Sequence, residues 1–416
     1  MLENQKQIEV STIEYFAKLL KAEATNLTRF NTNLIPYLIS DMDNQALCAE
    51  PIMQEVKEAV YAIDKDSTVG LDEFSSLFYQ QCWHIIAKDL LIAVKDFFSR
   101  SSFLKGVTST TLVLLAKKLD AESWSDFHLI SLCIVFNKII TKLLANRLAK
   151  ILSSLILDNQ SGFINGRLIS DNILLAQELV SKINYKARGG NVILKLDMMK
   201  AYDRLNWDFL YLILEKFGFS CQWIDIIKRC ISNCWFSLLV NGHLVGYFKS
   251  ERGLRQNDSI SLLLFILAAK YLSRGCSLNI SHLAYADEIM IFTNGSKSAL
   301  EKASGQKISQ QQSCFITAPS IIAQSTGFHH KTLPVTYLGV LFHKGPKKTL
   351  LFDSLLSKIR DRISGWENKV LLPGGRITLI RSVLSSLPIY LLQVLKPPFP
   401  LGRFLGQQTE TLDILE

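Results

Sequence analysis

The sequence predicts an α+β fold, on three observations. Two segments carry β-hairpin patterns, Phe236–Lys249 and His282–Phe292. A short apolar run, Val192–Leu196 (VILKL), has the length and β-branched content of a buried strand. Amphipathic stretches of helical period lie before and between these strands.

Taken in order, the first 50 residues read as helices with polar connections, Ser11–Ala24 among them. Glu50–Asp64 reads as an amphipathic helix with Ile52, Val56, Ala59, Val60 and Ile63 on one face. A turn region, DSTVGLDEF, follows at 66–74. Thr110–Ala116 is β-rich and ends at Lys117 and Lys118. Leu132–Leu155 has a long helical pattern with Lys and Arg on its polar side. The strand at Val192–Leu196 delivers Asp197 at its end. Trp207–Phe217 reads as a helix closed by Gly218. Asn241-Gly242 between FSLLV and HLVGYF is the strongest short-range hairpin signal in the chain. Ser261–Ser273 reads as a buried helix, and HLAYADEIMIF (282–292) as a second hairpin with Asp287-Glu288 at its tip. Basic helical patterns begin at Phe352, broken at Pro373-Gly374-Gly375, and the last residues read as a tail.

Composition sets limits. The 416 residues are 48% hydrophobic and 20% charged, ordinary for a globular chain with room for two or three domains. A net charge of +9 points to an acidic partner, and nucleic acid is the usual one. No apolar run reaches the ~18 residues of a membrane span, and the polar N-terminus lacks a signal-peptide pattern. The eight cysteines have no zinc-finger spacing, so they read as free thiols.

The acidic residues carry the chemistry. Phosphoryl transfer to a hydroxyl needs carboxylates that hold two divalent ions side by side. A strand-end aspartate near a carboxylate pair on a hairpin suits that task. Asp197 after VILKL and Asp287-Glu288 inside HLAYADEIMIF supply both parts. Either alone reads as a solvated turn. The two in this order, each flanked by apolar β-rich residues, point to a metal site.

Longer motifs add to this. KLDMMKAYDRLNW (195–207), GLRQNDSISLLLF (253–265) and HLAYADEIMIF resemble the catalytic motifs of LINE-type, non-LTR reverse transcriptases. SDFHLISL (125–132), QSGFINGR (160–167) with DNILLAQEL (171–179), and TYLGV (336–340) are similar to other motifs of that family, in family order. ISGWENKVLLPGGRITLIRSVLSSLPIY (363–390) is similar to the segment after the polymerase core in plant-type elements. The resemblance covers roughly residues 50–400.

The resemblance implies a right-hand polymerase: fingers, an antiparallel-sheet palm and a helical thumb. It implies fingers and palm at 66–342 (core about 108–342) and a thumb at 343–400, while the pattern of the sequence gives an N-terminal helical segment at 1–65 and a tail at 401–416. Asp197, Asp287 and Glu288 match the catalytic, metal-binding carboxylates, with two Mg²⁺ ions as cofactor. Tyr202 matches the aromatic that crowds the sugar 2′ position and Gln256 the glutamine near the incoming nucleotide, with Arg255 expected to bind substrate beside it. Lys117 matches a lysine near the triphosphate. RNA template, DNA primer and deoxynucleoside triphosphates are the implied partners, inside the nucleus or cytoplasm. No endonuclease, RNase H domain or Cys/His knuckle is expected beside the polymerase segment.

The sequence departs from the family pattern at sensitive places. Asn257 stands for a glycine, Leu262 for a proline and Glu288 for the second aspartate of the pair. His128-Leu129 stands for Arg-Pro, and Leu71 and Glu73 for Pro and Gly in a turn. The stretches at Arg274–Ser281 and Leu300–Gln312 are shorter than usual. Two expectations follow: a working RNA-directed DNA polymerase, or a decayed copy that keeps the fold and nucleic-acid binding only.

Overall fold

The computed structural model describes residues 4–23, 35–99, 105–117, 120–156, 160, 162, 166–183, 192–197, 202–275, 281–285, 288–293, 313–316, 329–343, 349–353, 355–357 and 391–395. It is a mixed α/β structure that divides into two units. The first draws mainly on Met1–Leu157 and Met198–Ser277. The second takes Asp158–Asp197, Leu278–Glu301 and Ser309–Glu416.

In chain order, the first unit opens with α1 (Gln5–Leu19), α2 (Asp41–Cys48), α3 (Met53–Tyr61), α4 (Ser76–Gln81), α5 (Trp83–Phe98) and α6 (Lys105–Thr108). Strands β1 (Ser109–Ala116) and β2 (Phe127–Cys133) lead into α7 (Val135–Leu155). The chain then supplies α8 (Ile169–Ser181) and β3 (Val192–Asp197) to the second unit. It returns to the first with α9 (Trp207–Phe217), α10 (Cys221–Ile231), β4 (Trp235–Val240), β5 (His243–Lys249) and α11 (Ser259–Gly275). The remaining strands all belong to the second unit: β6 (Ser281–Tyr285), β7 (Glu288–Thr293), β8 (Cys314–Ile316), β9 (His329–His330), β10 (Val335–Tyr337) and β11 (Val340–Phe342).

The sheet of the first unit has the order β2-β1-β4-β5. β1 is antiparallel to β2 and parallel to β4, while β4 and β5 form the Asn-Gly hairpin. Asn241 and Gly242 take φ of 49° and 83°, the two positive values a primed two-residue turn demands. One face of this sheet is closed by α1, where Phe16, Leu19 and Leu20 meet Leu112, Phe236 and Leu238. Helix α9 starts because the Asn206 side chain accepts from the Phe209 N–H at 2.9 Å. It stops because Gly218 turns left-handed at φ 98°.

The sheet of the second unit has the order β6-β7-β3-β8-β9, with β3 antiparallel to both neighbours. Val192, Ile193, Leu194 and Leu196 of β3 are all buried, as a central strand covered on both faces requires. Helix α8 presents Ile173, Ala176 and Val180, at helical spacing, to a core shared with Leu283, Met290, Tyr337 and Phe342.

Several expected boundaries move. Helix α1 begins and ends earlier than Ser11–Ala24. Helix α3 is shorter than Glu50–Asp64, and Ile52 lies 60% exposed before its first turn instead of on the buried face. Leu132 and Cys133 belong to β2, so α7 starts at Val135. Two of the α7 cations also turn inward. Lys138 reaches Ser67 Oγ and the Thr68 carbonyl, and Arg147 is 6% exposed. Arg147 forks onto the Glu55 carboxylate at 2.9 and 2.7 Å, and donates to the Leu47 and Ala49 carbonyls. A guanidinium with that many acceptors is held inside at tolerable cost. The reading of 343–400 as a helical thumb lies largely outside the described residues, and the tail at 401–416 wholly so.

Candidate active site

The acidic constellation lies in the second unit. The β3–β7 ladder sets Asp197 opposite Glu288, and the β6–β7 ladder sets Tyr285 opposite Glu288. Opposed residues of an antiparallel pair lie about 4.5–5.5 Å apart between Cα atoms. The strand end and the hairpin are therefore neighbours in the backbone. Asp287 and the side chain of Asp197 lie outside the described residues.

Glu288 is described in full, and both its oxygens have partners. Lys195 Nζ lies 3.2 Å from Oε1, with the two side chains 14% and 25% exposed. The Leu338 N–H donates to Oε2 at 2.9 Å. Lys195 is opposite Met290, so it meets Glu288 diagonally, within reach of a long side chain. Leu338 sits in the TYLGV turn at φ 48°, followed by Gly339 at φ 75°.

This arrangement tests the fit of a divalent ion. Oxygen ligands are the right type for Mg²⁺. At Glu288, however, an ammonium already stands against the carboxylate. Unit charges about 4 Å apart exchange about 4 kcal/mol near a protein surface, and a divalent ion doubles that. An ion bound to Glu288 would face Lys195 at such a range. Glu288 therefore does not fit as a metal ligand in this arrangement. Among the described residues no group of three His, Cys, Asp or Glu side chains could hold a metal ion.

The first unit holds the other site residues. Two loops are zipped together there: Leu254 N–H donates to the Tyr202 carbonyl at 2.8 Å, and Gly253 N–H to the Leu205 carbonyl at 2.8 Å. Trp207 Nε1 donates to the Gly253 carbonyl at 2.7 Å. Gly253 is needed here, since its φ is 86° and a Cβ would lie 2.6 Å from the Asp203 carbonyl oxygen. Tyr202 is half-buried, its ring stacked on Phe265 with centroids 4.7 Å apart. Gln256 is half-buried, and its Nε2 donates to Asp203 Oδ1 at 3.0 Å.

Arg255 points the other way. It is 4% exposed and paired with Asp258 at 2.8 Å, with Asn137 Oδ1 and the Cys230 carbonyl each at 3.3 Å. Three thiols surround this region, and burial pushes those of Cys133, Cys230 and Cys234 up, Cys234 to about 11. They stay protonated and unreactive as nucleophiles. Asn257 takes φ 75°, so the residue in place of glycine occupies a left-handed position. Glu73, at φ 60°, does the same in the turn at 70–74. Lys117 is exposed beyond β1, its Nζ 3.1 Å from the Ser125 carbonyl.

Thus Tyr202 and Gln256 share one pair of zipped loops, and Asp197 and Glu288 share one ladder. Two residues were missed by sequence reasoning. Asp203 holds Gln256, and its signal was the acidic residue directly after Tyr202. Lys195 holds Glu288, and its signal was the pleat, which makes a long side chain two residues before Asp197 a cross-strand neighbour.

Residues 116–342, more than half of the chain, match the family Reverse transcriptase (RNA-dependent DNA polymerase). The chain belongs to that family, and is a reverse-transcriptase domain related to those of non-LTR, R2-like retrotransposons. It is 26% identical over 233 residues to the transposon TX1 uncharacterized 149 kDa protein of Xenopus laevis, covering 56% of this chain and 18% of that one. It is 28% identical over 190 residues to the retrovirus-related Pol polyprotein from type-2 retrotransposable element R2DM of Drosophila melanogaster, covering 43% and 18%. The corresponding polyprotein from type-1 retrotransposable element R2 of Popillia japonica is 24% identical over 131 residues, 29% of this chain and 22% of that one. The chain spans about a fifth of the length of these relatives.

Proposed function

We propose that this chain keeps the reverse-transcriptase fold and the capacity to hold a primer–template, without polymerase turnover. The carrying observation is the Glu288 carboxylate, taken up by Lys195 and the Leu338 N–H at the point where the family has a metal-binding aspartate. The net charge of +9 supports a nucleic-acid partner bound through its phosphates and not read by sequence. On this reading residues 66–342 supply fingers and palm, and 343–400 the thumb. RNA template and DNA primer are the ligands, and the protein works in the nucleus or cytoplasm.

A second reading is favoured by the β3–β7 register that sets Asp197 opposite Glu288. There the chain is an RNA-directed DNA polymerase of a non-LTR element. Asp197 and Asp287 would hold Mg²⁺, which supplies activation of the primer hydroxyl and charge neutralisation on the phosphates. Tyr202 and Gln256 would face the deoxynucleoside triphosphate, with Lys117 at its phosphates.

Primer extension on an RNA template with Mg²⁺ separates the two. The expected result is a retarded primer–template complex with no extended product. Robust extension that Asp287→Asn abolishes would overturn the first reading and establish the second.

A further inference from the structure

The Glu288 side chain does more than lack a free oxygen. Its two partners come from two different elements. Lys195 is on β3, inside the five-stranded sheet, and Leu338 lies in the turn between β10 and β11. We propose that Glu288 is a positioning residue, a latch that fastens the start of β7 to the β10–β11 turn. It is the first residue of β7 and follows Asp287 directly in sequence.

Three observations carry this. The Leu338 amide is aimed at Oε2 by a backbone at φ 48°, a conformation a leucine rarely adopts. Tyr337 on one side and Val340 on the other are fully buried, so the turn is anchored at both ends and cannot follow the carboxylate. Lys195 engages the other oxygen, which leaves Oε2 to the amide. Glutamate is one methylene longer than the aspartate of the resembling motif. That length carries the carboxylate from the strand to the turn amide. The Glu-for-Asp exchange is then a change of role, from ion ligand to latch, and it holds whether or not the chain polymerises.

Hydrogen exchange at the peptide containing Leu338 tests the latch in the full chain. Glu288→Ala and Glu288→Asp should each speed exchange at Leu338 by about tenfold or more, the loss of a hydrogen bond to a charged acceptor. Glu288→Gln keeps an oxygen of the same reach and should retain most of the protection. Lys195→Met should leave Leu338 protected, since the amide is held by the other oxygen. Exchange at Leu338 unchanged in Glu288→Asp, or equally fast in Glu288→Gln and Glu288→Asp, would overturn the proposal. Should Glu288→Ala fail to fold, the Gln, Asp and Lys195 variants still decide it. Primer extension plays no part in these readouts, so the latch and the proposed loss of turnover fail separately.

Discussion

Gln256 and Asp203 are 53 residues apart in sequence, yet the amide of one donates to the carboxylate of the other at 3.0 Å. An ionised carboxylate only accepts, so Asp203 fixes which end of the Gln256 amide turns towards it. The carbonyl oxygen is thereby turned away from Asp203.

This pair should be energetically coupled. Hydrogen bonds to a charged partner contribute about 1.5–3 kcal/mol. Asp203→Ala and Gln256→Ala are expected to show a coupling of about that size in a denaturant-unfolding double-mutant cycle. A coupling under about 0.5 kcal/mol would mean the contact is incidental.

Asn257 should be nearly harmless to stability despite replacing a glycine. Its φ of 75° is left-handed, which Asn tolerates better than other side chains. Asn257→Gly relieves strain but adds freedom to the unfolded chain, so the net change should stay within about 0.5 kcal/mol. Asn257→Val, with a branched Cβ, should cost about 1–2 kcal/mol. Equal effects of the two variants in thermal unfolding would contradict a left-handed position.

The Arg147–Glu55 pair should make the first unit acid-sensitive. Burial pushes the Glu55 carboxyl up. The Arg147 fork, helped by the Ile52 N–H, outweighs that and leaves it below its ordinary value. A carboxylate depressed in the folded state gives stability that is present above its ordinary value of 4.5. That stability is lost as pH falls through the lower folded value. Unfolding free energy should therefore drop below about pH 4.5, and Glu55→Gln should flatten that part of the profile. Arg147→Met strands a carboxylate in a half-buried site and should cost about 3 kcal/mol at neutral pH. A Glu55→Gln profile parallel to the parent down to low pH would remove Glu55 from the account.

Nucleic-acid affinity should fall steeply with salt and vary little with sequence. Each phosphate neutralised contributes a slope of about −0.9 in log K against log salt on a duplex. Fluorescence anisotropy of a labelled primer–template at several salt concentrations reads this directly. Binding indifferent to salt, or none at low salt, would argue against both functional readings.

Much of the framework was legible because local chemistry set it. The Asn206 cap and Gly218 bracket α9, and Asn241-Gly242 makes its hairpin whatever surrounds it. The motif order brought Asp197 and the β6–β7 hairpin onto adjacent strands without knowledge of register. The rest depended on partners far away in sequence. Arg147 reads as a surface cation until Glu55, Leu47 and Ala49 converge on it. Glu288 reads as an ion ligand until a lysine and a turn amide close on it from separate elements. Arg255 adjoins Gln256 in sequence, but its side chain serves the interior. Such pairings follow from register and burial, which no short window of sequence contains.

The parallel pairing of β1 with β4 has a consequence for synthesis. Residues 109–113 wait for 235–239, and the segment that belongs to the second unit leaves the ribosome in between. At about 5–20 residues per second, the β-rich run TTLVLLA spends roughly 6–25 s with one edge unpaired. An unpaired apolar strand edge invites pairing with other chains. Translation speed across this interval, or a holding chaperone, should therefore govern how much of the protein is recovered in native form, more than its final stability does.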